Sequence, residues 1–137
     1  MNMKDITVDA TVENLEVVQN FVSQELEEQG CSMKVMMQIE IAVEEIYVNI
    51  VHYAYNPEVG KATIRCEVTD DPMQVIIQFL DSGTPFDPLA KADPDITLSA
   101  EERGIGGLGI FMVKQSMDEV NYEYVEGKNV LTIRKTL

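Results

Sequence analysis

Glu45, Asn49 and His52 form one of two polar strips on a stretch that is otherwise largely apolar: Met36 to Tyr55, MMQIEIAVEEIYVNIVHYAY. Their i, i+4, i+7 spacing puts them on one strip of a helix. Apolar residues flank the strip on both sides, so the carboxylate and the carboxamide are expected to be half-buried. Burying such groups without partners costs several kcal/mol, roughly 2–7 for a neutral polar group. Two readings follow. Glu45 and Asn49 form a satisfied local pair on the wet face of the helix, or they belong to a metal and nucleotide site. Two further places bear on the choice. Asp81-Ser82-Gly83 follows an apolar run, which is either an ordinary Asp-x-Gly turn or a ligand contact at the end of a strand. Gly104-Ile105-Gly106-Gly107-Leu108-Gly109 opens a helical pattern. Glycines there let the backbone approach an anion, which the first amides and the helix dipole favour. The plain alternative is a flexible loop before a helix. No Gly-Lys-Ser/Thr follows, so this is not a Walker A loop, and the layout is not that of the dinucleotide-binding βαβ unit.

The elements that must hold these residues can be read from periodicity. On the long helix, Met36, Ile39, Val43, Tyr47, Ile50 and Ala54 share the core face, widened by Ala42 and Ile46. Glu40, Glu44 and Tyr55 form a second strip, expected to be solvated. Ser32 is a fitting cap for this helix and Gly30 a stop for the one before it. That earlier helix carries Leu15, Val18, Val22 and Leu26, with Thr11 as the expected cap and Glu25, Glu27 and Glu28 as a solvated face. Ile6 and Val8 alternate with polar neighbours as a short first strand. Lys61–Thr69 alternates as a half-buried strand, and Gln74–Leu80 is apolar enough to be central in the sheet. Residues 89–103 lack periodicity and form a loop of roughly 15 residues, long enough to suggest a lid. The chain closes on a hairpin, with strands from Val120 and Val130 and a turn at residues 126–129. Tyr122 and Tyr124 are expected to pack on the sheet.

Composition narrows the function classes. The 137 residues include 24 acids and 10 bases, for a net charge of −14. That argues against binding nucleic acid or an anionic membrane through bulk charge and leaves room for a partner with a basic face. Hydrophobic residues make up 45%, as in a globular domain. Cys31 and Cys66 are far apart and form no CxxC, so free thiols in the cytoplasm are expected. There is no signal-peptide pattern at the start, and no run approaches the roughly 20 apolar residues needed to span a bilayer.

Taken in order, a Glu-x-x-x-Asn helix, a strand ending in Asp-x-Gly, a lid, and Gly-x-Gly-Gly-x-Gly entering a helix resemble the GHKL ATPase superfamily. The wording of EEIYVNIVHYAY, DSGTPFDP and GGLGIFMVKQSMDEV is similar to its anti-sigma factor serine/threonine-protein kinase branch. The resemblance runs from about residue 5 to residue 136 and treats residues 1–137 as one ATP-binding domain. It implies the Bergerat ATP-binding fold: an α/β (α+β) two-layer sandwich, with a mixed, mostly antiparallel sheet packed on helices at 11–29, 33–55 and 107–118. It implies ATP and Mg²⁺, with the Asn49 side-chain oxygen as metal ligand and Glu45 as general base. Glu44, about 100° round the helix, does not fit that role. Asp81 would accept from the exocyclic amine of adenine, and Gly83 would leave space for the ring. Gly104, Gly106, Gly107 and Gly109 would shape the lid hinge and phosphate-binding helix start, Arg103 would reach the terminal phosphate, and Thr132 would stand near the adenine.

The implied activity is Mg²⁺-dependent phosphorylation of an anti-anti-sigma (STAS) partner, with a sigma factor as a second partner and a homodimer as the assembly. The alternative is a catalytically weak module that binds or releases a protein in response to ATP. One departure stands out. The family's anti-sigma members often carry His four residues after the Asn. Here that position is Tyr53, and His52 is shifted by one. No phosphoacceptor helix pair precedes the domain, which argues against a complete histidine kinase. No transducer domain follows, which argues against a gyrase-type machine.

Overall fold

The computed structural model describes residues 3–55, 58–70, 72–89 and 108–137. The expected lid beyond Leu89, and with it Arg103, Gly104, Gly106 and Gly107, lies outside the described residues. Strands β1 (Lys4–Asp9), β2 (Lys61–Thr69), β3 (Gln74–Asp81), β4 (Glu119–Val125) and β5 (Lys128–Thr136) form one sheet in the order β1-β2-β3-β5-β4. Every described pairing is antiparallel. The most apolar strand, β3, is the middle one, as its composition predicts. Helices α1 (Leu15–Glu28), α2 (Met33–Tyr53) and α3 (Leu108–Ser116) complete the two layers. The third ends sooner than expected because Asp118 is already donating its N–H to the Arg134 carbonyl, 2.9 Å away.

The core follows from the two periodicities. Ala62, Ile64, Cys66 and Val68 of β2, Val75, Ile77 and Phe79 of β3, and Leu131 and Ile133 of β5 point one way. They meet Val18, Val22 and Leu26 of α1 and Ile39, Val43, Tyr47 and Ile50 of α2 in one apolar cluster. Each fully buried aliphatic or aromatic side chain there contributes about 1.5–3 kcal/mol.

The hydroxyl of Tyr47 solves a separate problem. It donates to the Thr11 carbonyl at 2.7 Å and accepts from the Thr11 N–H at 3.1 Å, pinning the link between β1 and α1 to the middle of α2. Thr11 makes no side-chain cap, and a short 3-10 turn, Val12–Asn14, precedes α1. Ser32 does cap α2, accepting from the Val35 N–H at 3.3 Å.

Three residues expected on solvated faces are tied down instead. Glu40 accepts from the Ser23 hydroxyl of α1 at 2.8 Å. Glu25 pairs with Lys4 of β1 at 2.7 Å. Tyr55 donates to the Lys61 carbonyl at 2.6 Å and accepts from the Ser82 N–H at 2.8 Å. A β-carbon on Gly60 would lie 2.2 Å from the Tyr55 ring, so the chain can pass there only as glycine. Helical spacing shows which residues share a strip, and it does not show what a neighbouring element brings to that strip.

Candidate functional site

A cavity of about 420 Å³, counting the space open to solvent at its mouth, lies between α2, β3, β5 and the start of α3. Of that space, about 40 Å³ is open to the centre of a water-sized sphere. Its walls are mostly apolar and include Ile46 and Ile50 of α2, Phe79 of β3, Leu131 of β5 and Ile110 of α3. Asn49 of α2 and Asp81 of β3 also line it, so two residues 32 positions apart in sequence meet at one space.

Asp81 is buried at 6% exposure. Its Oδ1 accepts from the Gly83 N–H at 2.9 Å, which is the Asp-x-Gly turn, and from the Asn129 amide at 2.9 Å. Both recorded bonds use Oδ1. The turn reading and the ligand reading are therefore compatible, because among the described residues none is bonded to Oδ2, and Asp81 lines the cavity.

Glu45 sits one helical turn before Asn49 and is half-buried. Its carboxylate lies against the first turn of α3. A β-carbon on Gly109 would lie 2.0 Å from Oε2 and 2.6 Å from Cδ of Glu45. The absent side chain at 109 is what lets the carboxylate reach the backbone beside Ile110, which borders the cavity. Asn49 and Asp81 thus line one cavity, while Glu45, one turn before Asn49, packs against Gly109 beside Ile110 of its wall.

Two other expectations need correcting. Gly83 does not line the cavity. A β-carbon there would lie 2.2 Å from the Ala54 carbonyl oxygen and 2.5 Å from its carbon, and the Thr84 N–H donates to that same oxygen at 2.8 Å. Glycine is required so that the strand exit can abut the end of α2, rather than to leave space for a ring. Thr132 is on the other side of the sheet. The alternation of β5 turns Asn129, Leu131 and Ile133 toward the helices and Thr132 away, where it bonds Gln78 at 3.3 Å.

Asn129, expected within the closing turn, is a buried strand residue paired with Asp81. The signal that would have found it is the turn type. Glu126 and Gly127 both have positive φ, 52° and 79°, the pattern of a two-residue hairpin turn. A turn that short places Asn129 on the core face. Tyr122 also lines the cavity, its hydroxyl bonded to Asn129, and burial raises that hydroxyl above its ordinary pKa. At the mouth, Tyr53 stacks on Phe86 with ring centroids 5.4 Å apart and an interplanar angle of 27°. Tyr53, the residue at which the family pattern departs, therefore borders the cavity, whereas His52 is exposed and meets the edge of Tyr53.

The sequence pattern of the histidine kinase-like ATPase domain matches residues 8–135. The serine-protein kinase RsbW of Listeria monocytogenes is 33% identical over 107 residues, covering 74% of this chain and 67% of that protein. The serine-protein kinase RsbW of Bacillus mycoides is 31% identical over 100 residues, covering 70% of this chain and 61% of that protein. Among solved structures, the RsbU and RsbW domains of Rv1364c from Mycobacterium tuberculosis superpose with a TM-score of 0.71 at 19% identity, over the whole of this chain and 33% of that one. That likeness is one of fold, and this chain spans about a third of the larger molecule.

Proposed function

Because this chain belongs to the histidine kinase-like ATPase domain family, we propose that its cavity binds ATP with Mg²⁺ and that the domain transfers the terminal phosphoryl group to a serine or threonine of a small STAS-type partner. The observation that carries the reading is Asp81: a buried carboxylate held by Oδ1 in its own turn, with Oδ2 left to accept from an exocyclic amine at the end of an apolar slot. Adenine offers such a donor and guanine offers an acceptor at the same place.

The residues present fit a magnesium–nucleotide complex. Among the described residues no cluster of three or more His, Cys, Asp or Glu could form a metal cage. Asn49, on the cavity wall, would offer a single oxygen ligand, which suits Mg²⁺ because that ion takes most of its shell from phosphate and water. When bound, the ion neutralises phosphate charge. The chain's own groups do the rest. Apolar walls from Ile46, Ile50 and Leu131 exclude water from the base. Glu45, held one turn from Asn49 against Gly109, accepts the proton of the attacking hydroxyl as its oxygen bonds the γ-phosphorus and the bridge to the β-phosphate breaks. A sigma factor is the second partner carried over from the family resemblance. The acid surplus supports a basic surface on either partner, and the setting is the cytoplasm.

The test is transfer of radiolabelled phosphate from ATP to the cognate STAS partner. Glu45→Ala is expected to retain ATP binding and lose transfer. Undiminished transfer in that variant, or none in the wild type, refutes the kinase reading. Nucleotide-dependent partner affinity without turnover would favour the binding module.

A further inference from the structure

The side-chain amide of Asn129 has two N–H donors and two oxygen lone pairs, and all four are used. Nδ2 donates to Asp81 Oδ1 at 2.9 Å and to the Thr84 carbonyl at 3.0 Å. Oδ1 accepts from the Phe86 N–H at 3.1 Å and from the Tyr122 hydroxyl. The residue is 6% exposed and borders the cavity directly opposite Asp81 in the strand register. A saturated amide cannot bond a ligand. What it can do is hold its neighbours.

We propose that Asn129 is the positioning residue that sets the choice of base: by occupying Asp81 Oδ1 and fixing the Thr84–Phe86 segment, it leaves Asp81 Oδ2 as the acceptor offered to the ligand and no amide N–H to welcome a carbonyl. The inference rests on the ATP reading above and deepens it. An amide with a spare N–H beside Asp81 would bond the carbonyl of guanine. Asn129 has spent both on Asp81 and Thr84, so the wall is acceptor-only at that point. The same residue fixes the backbone of Phe86, whose ring stacks on Tyr53 across the mouth. Base reading and the shape of the entrance therefore depend on one side chain.

Asn129→Asp tests this while keeping the volume. It exchanges the two donors for an acceptor that faces Asp81 Oδ1 and the Thr84 carbonyl. A carboxyl at 129 must carry a proton before it can donate there. The titratable groups around it are Asp81 from β3, Tyr122 from β4 and, acting on Tyr122, Asp87 and Tyr124. Burial is the chief cause that raises the Tyr122 hydroxyl, which stays protonated throughout.

The experiment is calorimetric titration of the pure protein with Mg-ATP and Mg-GTP, with thermal unfolding of each variant alongside. Wild type is expected to prefer ATP. In Asn129→Asp the ATP-to-GTP ratio should fall by about tenfold or more at neutral pH. Thr132→Val, on the opposite face of the same strand, should leave the ratio unchanged. If Asn129→Asp does not fold, Tyr122→Phe carries the test, since it removes one hydroxyl from the same amide and should lower the ratio severalfold. A variant that lowers the melting temperature but keeps the wild-type ratio overturns the inference and leaves ATP binding standing. An equal change in Thr132→Val also overturns it. Absence of ATP binding in the wild type overturns both the inference and the reading beneath it.

Discussion

Replacing Gly109 with alanine should separate stability from catalysis. The new β-carbon would fall 2.0 Å from Oε2 and 2.6 Å from Cδ of Glu45. Carbon does not approach oxygen within about 3 Å, so the carboxylate must withdraw by at least about 1 Å. It is the end of a flexible side chain, so withdrawal costs about 0.5–1.5 kcal/mol of rotamer strain. Alanine in place of glycine within a helix returns about 0.5–1 kcal/mol. The two effects oppose each other, and the midpoint of urea unfolding should move little. Catalysis has no such compensation, because a displacement of about 1 Å can lower a rate by about 100-fold. Asp81 and Asn49 are untouched, so ATP affinity should stay within a few-fold of wild type. The assays are urea unfolding, calorimetric ATP binding, and phosphoryl transfer to the STAS partner. Wild-type transfer in Gly109→Ala would show that the position of Glu45 does not matter. Loss of ATP binding as large as the loss of transfer would show that Gly109 serves the phosphates directly and not through Glu45.

Gly83→Ala should behave in the opposite way. Its β-carbon meets the Ala54 carbonyl, which is backbone and cannot swing aside, so the fold should lose about 2–4 kcal/mol from overpacking and the strained Thr84–Ala54 bond; an unchanged unfolding midpoint would refute the packing explanation. Burial, the largest cause, pushes the Cys66 thiol up to about 12 from its ordinary 9.0. Its folded pKa is raised, so its contribution to stability is full below pH 9.0 and is lost as pH rises toward about 12. Unfolding followed across that window should show a shallower alkaline decline in Cys66→Ala, and an identical decline would exclude the thiol as its source.

The long helix, the central strand and the placing of Asn49 and Asp81 at one cavity were legible because each rests on a local regularity: a 3.6-residue period, an apolar run, a turn residue at a strand end. The failures lie where a second element decides. Tyr55 shares a helical strip with Glu44, yet its hydroxyl is taken by backbone from Lys61 and Ser82. Gly83 sits beside the expected ligand contact, yet Ala54 is what requires it to be glycine. Thr132 is a carry-over from the family resemblance, which does not fix which residues of β5 face inward; the two-residue turn does, and it brings Asn129 inward and turns Thr132 away. Tyr53 was visible as a departure from the family pattern, but its stacking partner came from a loop with no periodicity to place it.

The Tyr55 hydroxyl joins the residue that begins β2 to the residue that follows β3, and Gly60 closes over the flat of its ring. The end of α2 is thereby bolted to both strands of that hairpin. Sliding of α2 along the sheet would break two hydrogen bonds and drive a ring into backbone. Any rearrangement that a ligand provokes should therefore pivot about the far side of the cavity, where α3 meets Glu45 across a glycine, while the wall around Asp81 stays fixed as the anvil.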